Sequence, residues 1–260
     1  MIMIDLFNYP LVAILCMGLV IVLAATEFGR RLGMNANRKV EDDISTLEAA
    51  MLGLLALMIG FTFAMALSRF DTRRDAVLLE ANAIGTTALR ARLLPEPHRK
   101  EVLKLLRDYV RVRLDITQRT PSLADLEGTI RQSNDIQEAL WREAMAISAM
   151  DQGMVPTGLF IQTLNEMIDD QAKRLAALRN RIPNIVLLTL FGIAAVVCGF
   201  AGYARGLESR RDATPVYILG FLVTVVIILI LDLDRPNAGF VQTSQQPMLD
   251  TAAALAAFTD

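Results

Sequence analysis

Ala49–Ser68 reads AAMLGLLALMIGFTFAMALS, twenty residues without an acid, a base or a histidine. At a helical rise of about 1.5 Å per residue it is about 30 Å long, the thickness of a bilayer's hydrocarbon core. Three more stretches share this property. Leu6–Thr26, Ile182–Ala204 and Ala213–Leu231 are 21, 23 and 19 residues long and equally uncharged. A helix on the surface of a soluble protein carries charge every turn or two, so a soluble core does not explain them. They account for a mean hydropathy of +0.40 and an apolar content of 53%. The expected fold class is all-α: a polytopic membrane protein with four transmembrane helices and a helical extramembrane domain between the second and third.

The parts follow in order. Residues 1–68 hold the first two spans, near 6–26 and 49–68, and their connecting loop. Residues 69–181 form the extramembrane domain. Residues 182–231 hold the last two spans, near 182–204 and 213–231, and residues 232–260 form a C-terminal tail. Ser45-Thr46-Leu47-Glu48 has capping-box spacing and predicts the start of the second helix. Proline is then absent as far as Leu94, so one helix of about 45 residues is expected to leave the bilayer and project about 65–70 Å in all. Pro95-Glu96-Pro97 ends it. Val102, Leu106, Tyr109, Val110 and Leu114 mark the next helix. Ser122 is the expected N-cap of another, carrying Ile136, Leu140 and Ile147. After a break at Gly153–Gly158, Phe160, Leu164, Met167, Ile168, Leu175 and Leu178 mark a helix leading into the third span, which Pro183 kinks or starts. Thr214-Pro215 supplies a cap and an early proline for the fourth.

Charge narrows the function. A formal net charge of −2 gives no reason to expect a nucleic-acid partner. The central region balances 18 Lys/Arg against 16 Asp/Glu, the pattern of a solvated helical bundle. Arg30, Arg31, Arg38 and Lys39 follow the first span and no base precedes it. Basic residues near the membrane total seven on one side and eight on the other and do not decide the orientation. The first helix dominates, so the positive-inside rule favours this loop in the cytoplasm of a bacterial inner membrane, and both termini and the central domain outside, in the periplasm. Cys16 and Cys198 lie within spans and read as small buried hydrophobes.

Catalytic patterns are missing. His98 is the one histidine, and the sequence contains no zinc-ligand cluster, no phosphate-binding G-x-x-x-x-G-K-[ST] loop and no G-x-S-x-G elbow. Neither an enzyme, a metal nor a cofactor is expected. The spans hold no ionisable acid or base of the kind proton-coupled pumps place at membrane depth. A passive pore or a non-conducting anchor remains.

The second span carries two patterned faces. Ala49, Gly53, Ala56, Gly60 and Ala64 form a strip of small residues for close helix packing, within one subunit or between copies. Leu57, Phe61 and Met65 form a bulky row leading to Arg69. Such rows gate pores by dewetting, and they equally face lipid or a core. Arg69, Asp71, Arg73 and Arg74 mark the membrane boundary. Asp232, Asp234 and Arg235 mark it where the fourth span ends. Acids at a helix C-terminus oppose its dipole, so pairing with Arg69, Arg73 or Arg74 is the expected reason for them, with a cation site as the alternative. Glu80–Thr87 reads as close packing, with a polar constriction or a ligand contact as the alternative.

These motifs together resemble a bacterial family labelled bestrophin-like. The resemblance rests on Gly60-Phe61-Thr62-Phe63, Arg69-Phe70-Asp71-Thr72-Arg73-Arg74 and Glu80-Ala81-Asn82-Ala83-Ile84-Gly85, with Leu94-Pro95. Glu27-Phe28-Gly29-Arg30-Arg31 and Asp232-Leu233-Asp234-Arg235-Pro236-Asn237-Ala238-Gly239 carry it to both ends of the chain. The label implies distant kinship with bestrophins, pentameric anion channels with four membrane helices per subunit. It implies a homo-oligomer in membrane lipid that passes small ions, its second helix lining the pore with Phe61, Leu57 or Met65 facing inward. Of the acidic run with which bestrophins bind calcium after the fourth span, only Asp232 and Asp234 stand here. Bestrophins keep the central domain in the cytosol, against the orientation read from the charges. The alternative function is a membrane-anchored interaction, scaffold or sensor protein.

Overall fold

Pro10 sets the start of the first helix, its carbonyl accepting the Ile14 N–H at 3.2 Å. The computed structural model describes residues 7, 9–36, 42–118, 123–150, 155–208, 212–236 and 239–258. These residues form eight helices and no strand: α1 (Leu11–Asn35), α2 (Asp42–Ala91), α3 (His98–Gln118), α4 (Leu123–Met150), α5 (Val155–Arg179), α6 (Asn184–Leu207), α7 (Thr214–Asp234) and α8 (Gln246–Ala256). The protein is all-α, with four helices apolar and long enough to cross a bilayer.

Several boundaries depart from the sequence reading. α1 runs on from the apolar stretch through Glu27, Arg30 and Arg31 to Asn35. α2 begins at Asp42, so Ser45 lies in its first turn and is no cap; an acidic residue type at that end suits the helix dipole. The helix leading into the third span does not continue into it. α5 stops at Arg179, and Pro183, which lacks an N–H and restricts Ile182 before it, precedes α6 as its N-cap. Gly158 lies within α5, which begins at Val155 inside the break expected at Gly153–Gly158. Thr214 is already helical. The Asp212 carboxylate accepts both its N–H (3.0 Å) and its hydroxyl (2.7 Å), while Pro215 sits in the first turn. The proposed cap Ser122 lies outside the described residues, as do Arg38, Lys39 and Glu41. α8 replaces part of the expected tail.

The chain divides into two units, Met1–Phe70 with Arg181–Arg235 and Gly239–Val241, and Asp71–Asn180 with Pro236–Ala238 and Gln242–Asp260. In the first, Ile14, Val22, Leu55, Leu187, Leu190, Ile227 and Ile230 form an apolar core. Its tightest contact is α1 against α6. A methyl on Gly29 would overlap the Gly199 carbonyl oxygen, and one on Gly202 would overlap that of Thr26. One on Gly33 would come within 2.9 Å of the Gly206 Cα. Only glycine allows the backbones this near, which is how membrane helices gain packing without a hydrophobic driving force. At the end of the apolar part of α1, Glu27 accepts from Arg30 Nε (2.8 Å), Arg31 Nε (2.7 Å) and the Tyr217 hydroxyl of α7.

In the second unit Leu103, Leu106 and Tyr109 of α3 meet Leu140 and Ile147 of α4, Phe160 and Leu164 of α5, and Met248 and Leu255 of α8. α8 is tied to α3 by Arg107, which donates to the carbonyls of Leu255 (3.1 Å) and Phe258 (2.8 Å).

Candidate functional site

The apolar part of α2 has three faces. At about 100° per residue, Leu55, Thr62 and Ala66 share one side, and all three are buried. The small strip lies about 140° away and the bulky row about 120° in the other direction, by the same helical step. Ala49, Gly53, Ala56, Gly60 and Ala64 are all exposed within the chain, and nothing comes within 4 Å of a Cβ built on Gly53 or Gly60. Leu57, Phe61 and Met65 are 57%, 68% and 42% exposed. About half of this helix's circumference therefore has no cover from its own chain.

One turn past Met65, Arg69 faces the end of α7. Its Nη1 lies 3.7 Å from the buried Asp234 Oδ1. Asp234 Oδ2 accepts the Ile182 N–H at 2.7 Å. Asp232 accepts the N–H groups of Phe240 (2.9 Å) and Val241 (3.0 Å), and its carboxylate approaches Gly239 so closely that a Cβ there would clash. Arg235 Nη2 donates to the Tyr9 carbonyl at 2.6 Å. The two acids at the end of α7 thus accept backbone donors of neighbouring segments. Among the described residues no group of three or more His, Cys, Asp or Glu side chains could hold a metal ion. Asp71 and Arg74 are exposed, and Arg73 is buried.

The sequence reading singles out Glu80 in a stretch of small and polar residues, but not the polar centre that the second unit builds around it. Glu80, fully buried, pairs with Arg113 (Nε–Oε1 2.6 Å) and Arg174 (Nη1–Oε2 2.6 Å) and accepts the Tyr109 hydroxyl at 2.9 Å. Gln137 and Gln171 hydrogen-bond each other beside Tyr109, and Arg174 Nη2 reaches Gln245 Oε1 at 2.9 Å. Burial alone pushes the Glu80 carboxyl up, but the two guanidiniums outweigh it and hold its pKa below the ordinary value. Burial, reinforced by the Glu80 charge, pushes the Tyr109 hydroxyl well above its usual range. The available signals were Tyr109 and Arg113 one turn apart on the apolar stripe of α3, and Gln171 with Arg174 on the inner side of α5. The α1–α6 contact was signalled by Gly29-x-x-x-Gly33 and Gly202-x-x-x-Gly206.

A family model described as Bestrophin-like domain matches residues 16–248. Among solved structures, the chain is similar to a bacterial bestrophin homologue from Klebsiella pneumoniae. One crystal structure of it has a TM-score of 0.68 at 15% identity, covering 94% of this chain and 97% of that one. Another has a TM-score of 0.65 at 16% identity, covering 93% and 98%. A third, phased on zinc, has a TM-score of 0.63 at 17% identity, covering 94% and 95%. At these identities the likeness shows the fold. No curated protein matches the chain.

Proposed function

Because the chain belongs to the Bestrophin-like domain family, we propose that it is a passive ion channel of the bacterial inner membrane, assembled from several copies with α2 of each lining the pore. Bestrophins, to which the family is likened, are channels rather than enzymes, and this supports the reading. The observation that carries the reading is the uncovered row Leu57, Phe61 and Met65 on a helix that buries another side at Leu55, Thr62 and Ala66. Symmetric copies would turn this row inward as apolar rings, and would pack the small strip Ala49, Gly53, Ala56, Gly60 and Ala64 against a neighbouring subunit. An apolar ring at membrane depth excludes water until the pore widens, so Phe61 sets the closed state. Arg69 follows at the mouth and attracts anions, its charge partly balanced by Asp234. The loop after the first span faces the cytoplasm and the central domain the periplasm.

Purified protein in planar bilayers under a salt gradient tests this. Discrete currents with a reversal potential displaced toward the anion equilibrium support it. A protein that reconstitutes as an oligomer yet passes no current is a membrane-anchored interaction, scaffold or sensor protein instead. A monomer in detergent overturns the assembly on which the pore depends.

A further inference from the structure

The polar centre of the second unit holds more positive than negative charge. Arg113 and Arg174 share one carboxylate, Glu80, and all three side chains are buried. Tyr109 keeps its proton there and adds no negative charge. Burial lowers the Arg174 guanidinium; Glu80 offsets part of this, and the nearby Arg113 charge lowers it further. An unbalanced charge in a low-dielectric interior is expensive unless something compensates it.

Glu80 has no capacity left. It faces Arg113 Nε and Nη2, Arg174 Nη1 and the Tyr109 hydroxyl. Two groups remain: Arg113 Nη1 and Ser133 Oγ are buried without a hydrogen-bond partner, on side chains that are 0% exposed. The packing of α3 on α4 brings them to one level. His98 meets Glu143 and Tyr109 meets Gln137, so the two helices run in opposite directions. Arg113 is one turn on from Tyr109, and Ser133 one turn back from Gln137. Both groups can donate, and no acid of the described residues pairs with Arg113 other than Glu80.

We infer that Arg113 Nη1 and the Ser133 hydroxyl form a buried site for a small monovalent inorganic anion of the halide class. A halide accepts from both donors, needs none in return and cancels the surplus charge. Water would satisfy the donors and leave the charge. The site belongs to the second unit alone and stands whether or not α2 lines a pore.

Thermal unfolding of the full-length protein in detergent, in sodium chloride against sodium gluconate at equal ionic strength, tests the inference. Gluconate is too large for a buried site. Chloride should raise Tm saturably, by roughly 5 °C or more at a hundred times its Kd. Ser133→Ala should weaken the apparent affinity roughly tenfold. Arg174→Gln leaves Glu80 and Arg113 as a neutral pair and should abolish the chloride effect, while Phe61→Ala should leave it intact. Bromide soaked into crystals should give an anomalous peak beside Arg113 and Ser133. Equal melting in both salts, a chloride effect of unchanged apparent affinity in Ser133→Ala, or a bromide-soaked crystal without that peak would each overturn the site. If Arg174→Gln does not fold, the near-isosteric Ser133→Ala and the bromide peak decide.

Discussion

Arg69 Nη1 stands 3.7 Å from Asp234 Oδ1, and the other oxygen of the same carboxylate holds the Ile182 N–H at 2.7 Å. One buried acid therefore fixes the start of α6, which proline leaves short of donors, and faces the cation that ends the bulky row of α2. The acids at the end of α7 work against the helix dipole, and the structure gives the compensation: Asp234 and Asp232 together accept three backbone N–H groups. Any electrostatic role of Arg69 is tied to the state of Asp234.

The α1–α6 contact predicts a contrast between glycines. Gly29→Ala and Gly202→Ala place a methyl against a carbonyl oxygen of the facing helix, so each should destabilise the protein by about 1–3 kcal/mol or more, as overpacking does. Gly53→Ala has open space and gains helix propensity, so the fold of the single chain should tolerate it. Thermal unfolding in detergent compares them. Equal losses at Gly29 and Gly53 would mean that the close approach contributes nothing.

Glu80 predicts acid sensitivity. Its folded pKa lies below the ordinary 4.5, so its stabilising contribution is complete above pH about 4.5 and is lost as pH falls through the lowered folded value. Tyr109, raised well above 10.0, contributes below pH about 10 and loses this as pH rises further. Glu80→Gln leaves two buried guanidiniums without their carboxylate. It should cost about 3–5 kcal/mol and flatten the acid limb of Tm against pH. An acid limb of unchanged slope in the variant would assign it to other groups.

Hydrophobic patterning made the four spans and the long second helix legible, because a bilayer demands about twenty uncharged residues whatever packs around them. It also showed the stripe Val102, Leu106, Tyr109. Arg113 continues that stripe as a charge, and charges read as solvated. Only a long-range partner, 33 residues back at Glu80, makes it a core residue. The strip of small residues on α2 stood out because it is long, while the close packing inside the chain uses the shorter glycine motifs of α1 and α6. Which glycine faces a neighbour depends on helix orientation, and spacing along one helix does not contain that. The helix α8 was missed because its alanines are uncharged but too few to suggest a span.

Orientation has its own prediction. Glu127 is exposed on α4. A cysteine there should react with an impermeant maleimide in intact cells, where the native Cys198 is buried. Replacing Cys16 removes the background. Labelling only after lysis would put the central domain in the cytosol, as the bestrophin resemblance implies, and would reverse the orientation taken from the basic residues after the first span.

The pore reading makes three variants move in different directions. Phe61→Ala removes the largest side chain of the row, so water enters more readily and conductance or open probability should rise several-fold in planar bilayers. Arg69→Gln removes the cation at the mouth and should shift the reversal potential toward the cation equilibrium under a salt gradient. Asp234→Asn keeps an oxygen to accept the Ile182 N–H but takes away the counter-charge of Arg69. Selectivity should then move the opposite way, toward anions, and combining it with Arg69→Gln should cancel most of that movement. The double variant separates a local pair from a general surface charge: if Asp234→Asn shifts selectivity equally with and without Arg69, the 3.7 Å pair does not set the field at the mouth. Unchanged currents in both Phe61→Ala and Arg69→Gln would take α2 out of the pore.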